Sequence, residues 1–420
     1  TSGRFSFACP NMPEIITDPC IDFGPPVATF QKKHHPSNQI QILNSPDLSA
    51  SSGNADATIK TANRLIQIDR QATATKILIS HGVIEGKPEV AACLNKMHLE
   101  RESALKLHDP PCAQLQVSTS ECIKELQRRS GCKDAPYDCF GWSAELLFFQ
   151  NRANNPLIHQ MGRLCSLLAS GMSTPALSFL LASGALTGLN KIPADEQTSN
   201  MEMGLPPKLR PINKGSIILN VAFKCAVNSP SAIAAKNRLL PVQLGLGAHG
   251  GPAKMATLFR GLYKAGFAIS TQDACNAFNA VNRQAIMEAV HKHWPEGVDL
   301  INDFYGPDAL VLYEYTVDGA GVVDVFVSME GTRQGCVLGS FLFDLAMLDI
   351  YSALAGKYPM FVTYALTDDL PLAIQPPPRD SDWATNWACL YDTLADFLDD
   401  YDRLANPIGI RRHPAKGKLL

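Results

Sequence analysis

Apolar positions recur along this chain in two rhythms. From about Asp56 they fall at three- and four-residue steps (Ile59, Ala62, Leu65 and Ile66, then Ala72, Ile77 and Leu78), a helical pattern that Gly82 is suited to stop. A second helix is predicted over Glu89–His98, with Val90, Ala91, Leu94 and Met97 on one side. Residues 108–140 hold a Pro-Pro pair, several Cys and little period, and read as a loop or insertion. Helical stretches follow near Ser143–Asn151 and His159–Ser170. After Leu189 short β-type runs alternate with helices: Arg210–Ile212, Phe267–Gln272, Ala309–Val317 and Val322–Met329, with a helix over Gln284–Trp294. Phe361–Leu366 is apolar on both faces, as a central strand should be. Leu390–Asn406 places Leu390, Leu394, Phe397, Tyr401 and Leu404 on one helical face. Residues 1–55, rich in Pro, Ser and Asn, keep no period and read as a linker or disordered arm. Strands alternating with helices behind a helical N-terminal part predict an α+β or α/β core.

Composition narrows the class. Apolar residues make up 46% and charged residues 18% of 420 positions, which is globular usage. Apolar runs such as Phe179–Leu186 are broken by Ser and Gly and read as too short to span a bilayer, so no membrane partner is expected. Thr1–Pro13 does not read as a secretion signal, and the missing initiator Met points to a trimmed start. Of twelve cysteines, Cys112, Cys122, Cys132 and Cys139 cluster most closely, but their spacing does not fit a zinc finger. The net charge of −3 counts against a wholly basic nucleic-acid binder, although a local basic channel suffices for a polymerase.

Two acidic segments stand out. In the first, a strand-like run from Ile269 ends at Asp273, before a helix start through Phe278; in the second, Asp368 and Asp369 close the apolar run from Phe361. Two like charges about 4 Å apart repel by roughly 4 kcal/mol at an effective dielectric of about 20. A folded chain keeps such a cluster most readily with a cation on it, and carboxylates favour hard ions such as Mg²⁺. Taken singly, the Asp-Asp pair also fits a solvated turn, and Asp273 fits a helix N-cap.

The order of segments resembles the reverse transcriptases of LINE-like (non-LTR) retroelements, especially those of protists, from about Ala62 to Leu420. Leu209–Ile212 is similar to the fingers motif, and Gln243–Gly251 to the glycine-rich stretch ahead of the palm. Asp273–Arg283 resembles palm motif A, Glu330–Phe343 motif B, Thr367–Asp369 motif C and Pro414–Leu420 motif D. The resemblance implies a right-hand polymerase: an antiparallel palm sheet with packed helices, fingers, and a helical N-terminal extension. The division it implies is 1–55 linker, 56–175 extension, 176–263 fingers and 264–420 palm, with the thumb falling beyond this region.

The resemblance also implies roles. Asp273, Asp368 and Asp369 would hold two Mg²⁺ ions (or Mn²⁺), with the Ala274 carbonyl as a further ligand. Phe278 matches the bulky residue that excludes a ribose 2′-hydroxyl. Gln334 and Gly335 match the pair against incoming nucleotide and template. Arg210 and Lys191 would meet the triphosphate, since guanidinium suits phosphate geometry. Lys416 matches a proton donor to pyrophosphate. The implied partners are an RNA template, a DNA primer or RNA–DNA hybrid, and dNTPs; the implied setting is the nucleus, with a cytoplasmic ribonucleoprotein stage. The chain departs from the pattern at Leu366, Thr367, Val337 and Ser340, and at Pro371, whose missing N–H bears on the hairpin. Two alternatives stand beside DNA synthesis: an RNA-dependent RNA polymerase, which Phe278 disfavours, and a decayed or domesticated copy that binds RNA without synthesis.

Overall fold

Runs of two to nine residues pair into two sheets, and apolar helices fill the space against them. The computed structural model describes residues 80–110, 114–130, 138, 140–142, 156–376, 383–413 and 415–420. The expected arm at 1–55, the helix from Asp56 and the helix near Ser143–Asn151 lie outside the described residues. The chain divides into two units, Thr1–Gly82 and Val83–Leu420. Every described helix and strand belongs to the second unit.

Its elements run in order as α1 (Pro88–Lys96), α2 (Thr119–Ser130), α3 (Pro156–Ala169), α4 (Pro175–Ala182), β1 (Gly184–Asn190), α5 (Ala194–Glu202), β2 (Leu209–Gly215), α6 (Ile217–Val227) and α7 (Pro230–Arg238). They continue with α8 (Gly251–Lys264), β3 (Ala268–Gln272), the single turn α9 (Ala277–Ala280), α10 (Arg283–His293), α11 (Val298–Tyr305), β4 (Ala309–Val317) and β5 (Ala320–Ser328). The last are α12 (Gly339–Lys357), β6 (Phe361–Thr363), β7 (Leu370–Ile374), α13 (Trp383–Ala405) and β8 (Lys418–Leu419). The class is therefore α+β. The first sheet has the order β2-β1-β4-β5, in which β1 and β4 are parallel; the second, β6-β7-β3-β8, is antiparallel throughout. The strands β4 and β5, although late in sequence, complete the sheet that β1 and β2 begin.

The run Phe361–Leu366, expected as a central strand, forms only the three-residue β6 at the edge of the second sheet. Two further features correct the sequence reading. Residues 108–140 are not simply a loop, because α2 lies within them. Ser118 and Glu121 start that helix by reciprocal bonds: Glu121 N–H donates to Ser118 Oγ at 3.2 Å, and Ser118 N–H donates to Glu121 Oε2 at 3.0 Å. Buried Cys122 and Leu126 then fix its inner side. The second correction concerns α12, which is long and apolar enough to cross a membrane by length and composition. Its apolar side chains instead fill the main core: Phe341, Leu342, Phe343, Leu345 and Met347 are all buried, and Asp344 sits fully buried among them.

Candidate active site

The second sheet dictates where the acids meet. Successive partners of β3 and β7 run Ala268 with Ile374 to Gln272 with Leu370, so the next pair in register is Asp273 with Asp369. On the other side of β3, Ser270 faces Leu419 and Thr271 faces Lys418, but that register does not continue: Ala274 bridges Arg412, and the Asp273 carbonyl accepts from His413 N–H. Asp369 and Asp273 thus follow directly on the paired ends of β7 and β3, and Lys416 reaches Asp273 by its side chain. Lys416 Nζ forms an ion pair with Asp273 Oδ2, with side chains 54% and 23% exposed respectively.

The hairpin between β6 and β7 closes on a two-residue turn. Leu366 and Asp369 exchange both backbone hydrogen bonds, leaving Thr367 and Asp368 at the tip. Thr367 takes a left-handed φ of +59° and Asp368 does not, the φ pattern of a II′ turn. Counting in register, Tyr364 and Pro371 form the next pair that would exchange bonds, and Pro371 has no N–H to give. The ladder is interrupted there and the hairpin forms nonetheless; on the opposite edge of the incoming strand, Ala365 bonds Val242 and Leu244, at 2.7 and 2.8 Å.

Charge follows this geometry. Burial, then Asp369 and Asp273, push the Asp368 carboxyl above the ordinary range, and Lys416 opposes them. Asp369 is raised by partial burial and by Asp273, again against Lys416. Lys191 is open to solvent along much of its length, but its ammonium is crowded. That desolvation, then Lys416 and Arg210, lower its pKa, while Asp273 raises it. Asp273, Asp368, Asp369, Lys191, Arg210 and Lys416 therefore share one field.

The remaining predicted residues surround this group. The Ala274 bridge to Arg412 is held by its neighbours' bonds, Cys275 N–H to Arg411 at 2.8 Å and His413 N–H to Asp273 at 2.7 Å. Phe278 is half-buried on α9, its ring 5.3 Å from that of Phe343. Its carbonyl accepts from Thr332 N–H at 2.6 Å, which ties the Asp273 segment to the Glu330–Phe343 segment. Gln334 and Gly335 lie against β2 rather than beside the acids. Asn213 N–H donates to the Gln334 carbonyl at 2.8 Å, and a Cβ on Gly335 (φ +105°) would come within 2.6 Å of the Asn213 carbonyl. They reach the site through the strand that carries Arg210.

Among the described residues, no three His, Cys, Asp or Glu side chains converge as a cage for a metal ion. The Lys416 ammonium is the cation on Asp273. A cavity of about 550 Å³ is lined by Gln272, Leu394, Asp402, Arg412 and Lys418, and by none of the three acids.

Sequence reasoning assigns no part to two buried groups beneath the turn. Gln243 reaches Thr367, and Asp344 reaches Gln243. A lone acid within the apolar run Phe341–Leu348 is the visible signal for the second.

The chain is similar to a retrotransposon protein. It is 29% identical over 171 residues to the retrotransposable element SLACS 132 kDa protein of Trypanosoma brucei gambiense. The match covers 40% of this chain and spans 14% of that protein's length. No protein-family model matches. Among solved structures, an apo telomerase from Candida tropicalis superposes with a TM-score of 0.35 at 12% identity, covering 51% of this chain and 48% of that one. The telomerase of the same species with a fragment of telomeric RNA gives a TM-score of 0.37 at 12% identity, over 57% and 41%. Superpositions at that level carry no weight.

Proposed function

We propose that this chain carries the fingers and palm of an RNA-directed DNA polymerase from a LINE-like retroelement. It would extend a primer 3′-hydroxyl with nucleotides from dNTPs on an RNA template. The observation that carries this reading is that Asp273 and Asp369 follow directly on the paired ends of β3 and β7, with Lys416 ion-paired to Asp273 and Asp368 at the adjoining turn. The SLACS similarity supports it. In this reading the antiparallel sheet β6-β7-β3-β8 is the palm, and β1 and β2 belong to the fingers.

Asp273, Asp368, Asp369 and the Ala274 carbonyl are oxygen donors that would hold Mg²⁺ or Mn²⁺, which would supply activation of the attacking hydroxyl and positive charge for the leaving pyrophosphate. Mg²⁺ is usually held by one or two carboxylates plus substrate phosphates, so a full protein cage is not needed. Lys416 must leave Asp273 for this. An exposed ion pair is worth about 0–1 kcal/mol, so the exchange costs little. Once displaced, Lys416 is beside the leaving phosphate as a proton donor. Arg210 and Lys191 then meet the remaining phosphate charge. Gln334 and Gly335 form the floor for nucleotide and template, and the Phe278 ring fills the space of a 2′-hydroxyl.

The competing reading, an RNA-binding protein without synthesis, rests on the Lys416–Asp273 pair, in which an ammonium takes the place of a metal ion. Primer extension on poly(rA)/oligo(dT) with Mg²⁺, using the full-length protein, separates the two. Synthesis that disappears in Asp368→Ala is the expected result. A parent protein that extends nothing favours the competing reading.

A further inference from the structure

The segment Gln243–Gly251 carries none of the three site acids, yet its first residue reaches the turn that carries two of them. Gln243 is fully buried. Its Oε1 accepts from Thr367 N–H at 2.8 Å and from Gly245 N–H at 2.8 Å. Its Nε2 donates to the Thr367 carbonyl at 3.3 Å and to Asp344 Oδ1 at 3.2 Å. One amide orientation satisfies all four contacts, whereas the flipped orientation loses the three to backbone groups, setting donor against donor at Thr367 and Gly245 N–H and acceptor against acceptor at the Thr367 carbonyl. The Tyr351 hydroxyl donates to the same Thr367 carbonyl at 3.1 Å.

Both backbone polar groups of Thr367 are therefore held by buried side chains. Thr367 needs this support, since a β-branched residue at φ +59° is strained. Gly245 completes the seat. A Cβ there would lie 2.6 Å from Thr367 Oγ1 and 3.0 Å from Thr367 N, so no larger residue lets the turn approach so closely. The backbone bridge between Gln243 and Ala365 fixes the same segment along the incoming strand. Asp344 anchors the far side of the amide; its second oxygen has no partner, and burial, then Asp368, raise its pKa well above the ordinary range. In its neutral form it adds no third negative charge beneath the acid pair.

We propose that Gln243 is a positioning residue that fixes the turn carrying Asp368 and Asp369. The glycine-rich segment is then a rigid seat for the acid pair rather than a surface for template or nucleotide. Its bearing on synthesis rests on the proposed polymerase function, but the seat itself does not.

Two variants test it: Gln243→Met, which keeps the volume and removes the hydrogen bonds, and Gly245→Ala, which pushes on the turn from outside. The first readout is amide hydrogen exchange in the full-length protein. Exchange at Thr367–Asp369 should quicken about tenfold, the effect of losing one such hydrogen bond, with the β4–β5 hairpin unchanged. The second is a kinetic split in primer extension: kcat should fall about tenfold or more, with KM for dTTP nearly unchanged. Unchanged exchange at the turn overturns the proposal. So does equal quickening throughout the fold, or a change confined to KM. If the parent makes no DNA, the polymerase reading fails, and the exchange result alone decides whether the seat exists.

Discussion

Asp344 and Phe278 show how one position is shaped by its immediate surroundings. A carboxyl with no exposed surface is neutral at low cost and charged only at high cost, and the Gln243 amide gives it a single donor. Phe278 is placed by different means. Its ring leans on Phe343, and its carbonyl is gripped by Thr332 N–H and, at 3.3 Å, by the Thr332 hydroxyl. A side chain so fixed makes a firm steric limit. Replacing Phe278 with Ala should raise incorporation of rNTPs relative to dNTPs by roughly tenfold or more, the scale of discrimination by pocket size. Competition between rUTP and dTTP in primer extension measures it, and an unchanged sugar preference would remove Phe278 from that role.

Elements form here where local signals and burial agree. The helix expected over Glu89–His98 spans Pro88–Lys96, and the one over His159–Ser170 spans Pro156–Ala169. The β4 strand matches its predicted bounds, Ala309–Val317, because alternation along it coincides with one buried face. For α2 the Pro-Pro pair and the cysteines nearby mask a capping box that is present in the sequence. Since Ser118 starts α2 and α2 packs into the main core through Cys122 and Leu126, its cap bears on the whole fold. Ser118→Ala should lower stability by about 1 kcal/mol in urea denaturation, with an unchanged m-value. A variant as stable as the parent would mean the helix is held by packing alone. Pro371 illustrates the opposite case: its missing N–H interrupts the ladder at one bonded pair, and the hairpin closes on the Leu366–Asp369 pair nonetheless.

For the whole molecule, the dominant consequence is electrostatic. Raised carboxyl pKa values at Asp368 and Asp369 mean that the folded state holds these protons more tightly than the unfolded chain does. The stability they contribute is present below the unfolded value of about 3.9 and is lost as pH rises through the raised folded values. A divalent ion reverses this, because it binds the ionised carboxylates and competes with protons. Thermal melts should therefore show Mg²⁺ stabilisation that grows as pH rises above the unfolded carboxyl value and through the raised folded ones. It should approach about 2.7 kcal/mol when the ion is at a hundredfold excess over its Kd. Asp369→Asn should abolish most of that gain. Melting that ignores Mg²⁺ at the higher pH would contradict the assignment of the acids as ligands.

The sequence by itself determined the periodicities, the turn at Thr367–Asp369, the strand leading to Asp273, and the order of motifs that drew the polymerase reading. These are encoded locally, in residues a few positions apart. Only the tertiary structure decided that Asp369 and Lys416 flank Asp273, that β4 and β5 join the sheet of β1 and β2, and that Gln334 lies on β2. It also decided that Gln243 holds a turn 124 positions away. Such pairings depend on strand register and on which buried donor meets which buried acceptor. Those are settled by how distant surfaces pack together, and no local pattern carries that information.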